Sequence, residues 1–153
     1  MTANRDIAAL VGRILLATIF IWSGWSKISG FEGTAGYIAS KGLPVPQLLA
    51  IGAIVIELAG GLLLAFGCMA RWAAFAMVLF LITTLLFFHN FWAFSADQVA
   101  MQKLQFMKNV SIMGGMLMVW TFGPGRLSFD RPTCPGIALP TSSPHLARLT
   151  NRR

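Results

Sequence analysis

Charge is what this sequence has least of. Lys and Arg number 12 and Asp and Glu 5, together 11% of 153 residues, against roughly 25% in a soluble globular domain. So few charges cannot cover a water-facing surface, and a soluble protein is excluded. The same lack of polarity excludes a disordered chain. Cysteine is nearly absent, with 2 residues, which excludes a disulfide scaffold. Histidine is as scarce, and His89 and His145 fall on opposite sides of the reading below, so no His pair for zinc or haem forms within one chain. No metal site, phosphate-binding loop, nucleophile elbow or dinucleotide fingerprint is visible.

What the chain has in abundance is apolar residues, 56% of the total, with 12 Phe and 5 Trp. Uncharged segments follow Arg13, Arg71 and Lys108, and between Lys41 and Arg71 the single charge is Glu57. Each is long enough for the requirement of about 20 mostly apolar residues per membrane crossing. The reading is an all-α, four-transmembrane-helix bundle, with spans at about 7–29, 46–67, 71–92 and 106–123. Pro46 suits the first turn of the second helix, Gly67 can close its far end, and Gly123, Pro124 and Gly125 stop the fourth. The short connection Gly67 to Ala70 makes helices two and three antiparallel neighbours. Phe31 to Ser40 has the makings of a short interfacial helix ended by Lys41 and Gly42. Residues 1–132 form the membrane domain, and 133–153 a flexible, basic cytoplasmic tail rich in Pro, Ser and Arg. The first apolar stretch reads as a span and not as a cleaved signal peptide, because Arg13 interrupts it and two tryptophans precede its end.

The net charge of +7 is concentrated near the chain ends. An even number of crossings places Arg5, Arg13, Arg71 and the five arginines from Arg126 onward on one side, against Lys27, Lys41, Lys103 and Lys108 on the other. Both termini are therefore expected in the cytoplasm, with the excess charge an orientation signal and a contact for anionic lipid, not for nucleic acid.

Polar residues inside a bilayer demand a partner or a role, since a charge at the centre costs about 2.5–3.5 kcal/mol. Glu57 lies eleven residues past Pro46, about 16 Å deep and near the midplane. Gly60 and Gly61 share its face, which points into the bundle. Counted from the middle of each span, Arg13 lies roughly 8 Å to one side, Lys108 about 9 Å and Lys27 about 14 Å to the other. Arg13 is thus the expected partner of Glu57, with a guanidinium fork that suits a carboxylate. Two readings stay open: a structural pair that fixes helix register, and a proton-accepting or ligand-orienting carboxylate. Toward the outer leaflet Ser23, Ser26 and Lys27 on helix one, His89 at the end of helix three, and Lys108, Asn109 and Ser111 on helix four can line a polar pocket. Taken singly, the lysines suit headgroup depth and His89 an interface.

The chain resembles the DoxX family of small bacterial membrane proteins from about Gly12 to Asp130. The resemblance rests on GRILLATIFIWSGWSKISGF, YIASKGLPVP, ELAGGLLLAFG, FFHNFW, KNVSIMGGMLM and GPGRLSFD. It implies a multi-pass protein of the bacterial inner membrane and places Arg13, Lys27, Glu57, His89, Lys108 and Asn109 at the family's recurrent polar positions. It also implies a membrane subunit of an oxidoreductase system, linking a soluble redox partner protein to quinone. In that reading Glu57 and Arg13 handle the proton, Lys27, His89, Lys108 and Asn109 hold the quinone, and no cofactor is covalently bound. A homo-oligomer is compatible with it. A non-enzymatic anchor or assembly scaffold and a small-solute or lipid transporter remain the alternatives, the latter disfavoured by the lack of repeats and broken helices.

Overall fold

The computed structural model describes residues 2–130. The tail expected at 133–153, with Cys134 and His145, lies outside the described residues. Among these there are five α-helices and no strand: α1 Thr2–Ser29, α2 Phe31–Ser40, α3 Pro46–Phe66, α4 Ala70–Phe88 and α5 Ala96–Phe122, with a 3-10 turn at Phe91–Ala93. Three helical stretches, Ala3–Ser29, Pro46–Phe66 and Ala70–Ala93, are long and apolar enough to cross a membrane. Their outward faces expose Leu15, Trp22, Leu48, Leu62, Leu79 and Leu86, side chains that water would not tolerate in such number but hydrocarbon solvates.

The punctuation acts as the sequence implies at several points. Pro46 opens α3, Gly67 closes it at φ +68, and the short helix ends at Lys41 and Gly42, the latter at φ +72. Three boundaries differ, the first being the start of α1, at Thr2 instead of about residue 7. α4 stops at Phe88 instead of about residue 92, with His89 at its cap. α5 starts ten residues before the expected position, because a hydropathy window ends where polarity rises, whereas Gln, Lys, Met and Leu all favour helix whether or not lipid surrounds them. Ser95 and Gln98, spaced as in a capping box, were the available signal for that start.

α1 packs along α3, α3 against α4 and α4 against α5, while α1 and α5 meet sparingly. Lipid offers no hydrophobic driving force between helices, so close approach at small residues has to hold such a bundle. Gly24 lets Glu57 and Leu58 of α3 come against α1, Gly61 seats on Ala17 and Ile21, and Gly60 on Met77 of α4. Leu64, Met77 and Met116 are fully buried between these elements, joined by Ala17, Phe20 and Leu81. α2 folds over the first turns of α3, burying Ala35 and Ile38 against Ala50.

One end of the bundle is tied by polar contacts. Arg13, almost wholly buried at 2% exposure, donates to the carbonyl of Pro124, to Leu127 O at 2.9 Å and to Ala65 O at 3.3 Å. Phe129 and Asp130 N–H groups donate to Phe66 O and Gly67 O at 3.2 and 2.9 Å. The Asp130 carboxylate in turn accepts from the N–H groups of Met69 at 2.7 Å and Ala70 at 3.0 Å. This caps the start of α4, where donors otherwise go unsatisfied and the helix dipole favours an anion.

Candidate functional site

Glu57 projects from the middle of α3 and is 5% exposed. Its partner is Lys27, not Arg13. Lys27 Nζ donates to Oε2 at 2.7 Å and to Oε1 at 2.9 Å, and also to Ser23 Oγ at 2.6 Å, while Ser23 Oγ donates to Oε1 at 3.2 Å. This corrects the expected Arg13–Glu57 pair, and the reason is register. Depth counted from span centres treats the helices as level, but the residue of α1 beside Glu57 is Gly24, about six residues, or roughly 9 Å, beyond the centre of the expected span. The displacement carries Arg13 to Gly67, ten residues or about 15 Å along α3 from Glu57. It brings Lys27 within reach, and α2 covers the stretch of α3 that α1 leaves bare.

The Lys27–Glu57 pair lines a cavity of about 250 Å³ formed by α1, α3, α4 and α5. Ser23, His89, Lys108 and Asn109 line the same cavity. The structure thus brings together all of the polar positions singled out in the sequence except Arg13, Ser26 and Ser111. Ser111 Oγ donates to Met107 O of its own helix at 3.0 Å. Sequence reasoning missed Gln105 and Thr84, which also face the cavity, and Phe20 and Phe80, which give it apolar walls. Gln105, Lys108, Asn109 and Ile112 follow one stripe of α5. With that helix expected to begin at residue 106, Gln105 fell outside it.

His89 is fixed by Gln102, whose Oε1 lies 2.9 Å from Nδ1. An amide oxygen only accepts, so this contact uses the Nδ1–H tautomer and leaves Nε2 an acceptor in the neutral ring. Asn109 differs from its neighbours. It is 7% exposed, lines the cavity, and its side-chain amide has no hydrogen-bond partner among the described residues. The buried side-chain atoms without a partner among the described residues are Arg13 Nε and Asn90 Oδ1, so the Asn109 amide opens onto the cavity, where it can bond a polar group. In formal charge Lys27 and Glu57 cancel, which leaves Lys108 as the net positive charge in the cavity lining. Among the described residues no group of three or more His, Cys, Asp and Glu could hold a metal ion.

Comparison with known proteins gives this arrangement a family. The DoxX profile matches residues 8–90. The inner membrane protein YphA of Escherichia coli (strain K12) is 38% identical over 129 residues, covering 84% of this chain and 92% of its own. The inner membrane protein YqjF of the same organism is 38% identical over 131 residues, covering 86% and 95%. A shorter match, 39% identical over 71 residues and covering 46% of this chain and 52% of the relative, is to a Bacillus subtilis (strain 168) protein named "Putative oxidoreductase CatD". No solved structure matches the chain. The apolar helices and these full-length relatives place the protein in the inner membrane, and the chain belongs to the DoxX family.

Proposed function

We propose that the cavity between α1, α3, α4 and α5 binds the ring of a quinone and supplies its protons, as part of an inner-membrane oxidoreductase system. The observation that carries this reading is the unpartnered Asn109 amide facing a cavity that also holds a buried carboxylate, an ammonium pair and a fixed imidazole. A quinone ring offers two carbonyl oxygens and two apolar faces. Asn109 and Lys108 are donors suited to the oxygens, and Phe20 and Phe80 are apolar walls suited to the ring. Reduction to quinol consumes two electrons and two protons. The electrons come from a soluble redox protein at the membrane surface, and the protons pass through Glu57, Lys27 and His89, groups that can each hold or release one. CatD, by its name, lends the redox class some weight.

In this reading α5 is the fourth span. It is 27 residues long, about 40 Å of helix, and its polar stripe faces the cavity while Leu104, Val110, Leu117 and Trp120 are exposed. Both termini then lie in the cytoplasm, since Arg5, Arg71 and Arg126 gather at the end of the bundle tied by Arg13, and Lys41 and Lys103 at the other. The test is quinone affinity of the purified protein in lipid nanodiscs. Asn109→Leu and Lys108→Ala are expected to weaken binding about tenfold or more each, the equivalent of one good hydrogen bond to a charged or polar donor. Unchanged affinity in both variants contradicts the proposal.

A further inference from the structure

A second, larger void adjoins the polar cavity. It measures about 510 Å³ and runs between α3 and α4 beneath α2. Leu48, Gly52 and Ile56 of α3, Thr83 and Phe87 of α4 and Tyr37 of α2 form its walls. The two voids share Lys27, Glu57, Phe80, Thr84 and His89, so the polar pair stands at the junction between them. The lining changes character across that junction, from mixed polar groups among four helices to a nearly all-apolar groove.

The polar cavity alone, at about 250 Å³, is smaller than the roughly 300–1,000 Å³ of ordinary ligand sites. It suits a ring and little more. The groove continues from it, and its far walls, Leu48 and Phe87, are exposed on the outside of the bundle, where acyl chains lie in a membrane. A ligand that fills both voids has a compact polar head and a long hydrocarbon chain.

We propose that the groove between α2, α3 and α4 holds the hydrocarbon tail of the ligand whose head occupies the polar cavity. The inference rests on the quinone reading and narrows it: the substrate is a long-tailed lipid quinone that enters sideways from the bilayer, not a small water-soluble one. α2 is the roof of that entrance. It is pinned to α3 through Ala35, Ile38 and Ala50, and to the end of α4 by Tyr37, whose ring lies 5.5 Å from that of Phe88.

Gly52 offers a clean test. A Cβ there meets nothing within 4 Å and Gly52 lines the groove, so Gly52→Leu has open space to fill, and leucine favours helix over glycine. The probes are one benzoquinone ring carrying a decyl tail and the same ring without it, measured in nanodiscs and corrected for partition into lipid. In the wild type the tail is expected to tighten binding about tenfold or more. Gly52→Leu is expected to remove most of that advantage while leaving tail-less affinity within about twofold, and Gly36→Leu, on the exposed side of α2 where a Cβ also meets nothing within 4 Å, to retain it. A diazirine at the tail end is expected to label the α3 segment around Leu48 and the α4 segment around Phe87. If tailed and tail-less rings bind the wild type equally, or the advantage survives in Gly52→Leu, the tail assignment is overturned and the head site stands. If neither ring binds, the quinone reading itself falls and the tail assignment with it.

Discussion

Replacing Lys27 by methionine removes both ammonium bonds to Glu57 and leaves the carboxylate with Ser23 as its single donor. Breaking a buried ion pair by deleting one partner costs about 3–5 kcal/mol, because the remaining charge stays buried and uncompensated. The Lys27 side chain is 27% exposed against 6% for Glu57, so the lower end applies, about 3 kcal/mol. Glu57→Gln is milder, since the ammonium left behind is the more exposed partner and keeps Ser23 as an acceptor. The double variant Lys27→Met/Glu57→Gln holds no buried charge and should regain about 2 kcal/mol over Lys27→Met. Reversible unfolding in bicelles, followed by tryptophan fluorescence through a complete double-mutant cycle, measures this coupling. Arg13→Met combined with Glu57→Gln serves as the control cycle, because the register sets those residues too far apart to interact. Coupling below about 0.5 kcal/mol for Lys27 with Glu57, or larger coupling for Arg13 with Glu57, would refute the partner assignment.

Three further expectations follow from the packing and the capping. Arg13→Lys should lower unfolding stability by about 2 kcal/mol, because one ammonium cannot span the Ala65, Pro124 and Leu127 carbonyls that the guanidinium reaches; its quinone affinity, measured in the same preparation, should be unchanged. Asp130→Ala deletes both acceptors at the start of α4 and should cost about 1–2 kcal/mol, read as a lowered thermal midpoint in detergent. Gly61→Ala places a methyl 2.8 Å from Ile21 Cγ1 and 3.3 Å from the Ile21 backbone nitrogen; separating α1 from α3 should cost about 1–3 kcal/mol in bicelle unfolding, whereas Gly12→Ala, which meets nothing within 4 Å, should be neutral.

Much of the fold was legible because a membrane protein writes its helices as uncharged runs. Pro46, Gly67 and Gly42 then set ends that depend on local backbone geometry alone. α5 was only half legible. Its first turns carry Asp97 and Lys103, and hydropathy cannot separate helix leaving the apolar layer from loop. The polar positions were legible for the reason that makes them expensive: in lipid each ionisable residue stands out, and Lys27, Glu57, His89, Lys108 and Asn109 do share one cavity. Their pairing was not legible. It depends on how far α1 slides along α3, which Gly24 against Leu58 and Gly61 against Ile21 decide. Helical periodicity places residues on a face but does not fix the level of one helix against another. Asp130 was missed for a related reason. It caps a helix sixty residues earlier in the chain, and the local sequence around it holds no sign of that contact.

The proposed function requires that the cavity around Glu57 and Asn109 hold a quinone ring. The most direct measurement is the quinone content of protein purified from its native membranes in mild detergent, by solvent extraction and chromatography. Wild type and Arg13→Lys should carry near-equal amounts, while Asn109→Leu, which keeps the bulk but deletes the amide, should carry about tenfold less. Equal quinone in Asn109→Leu and wild type, or none in the wild type, would contradict it.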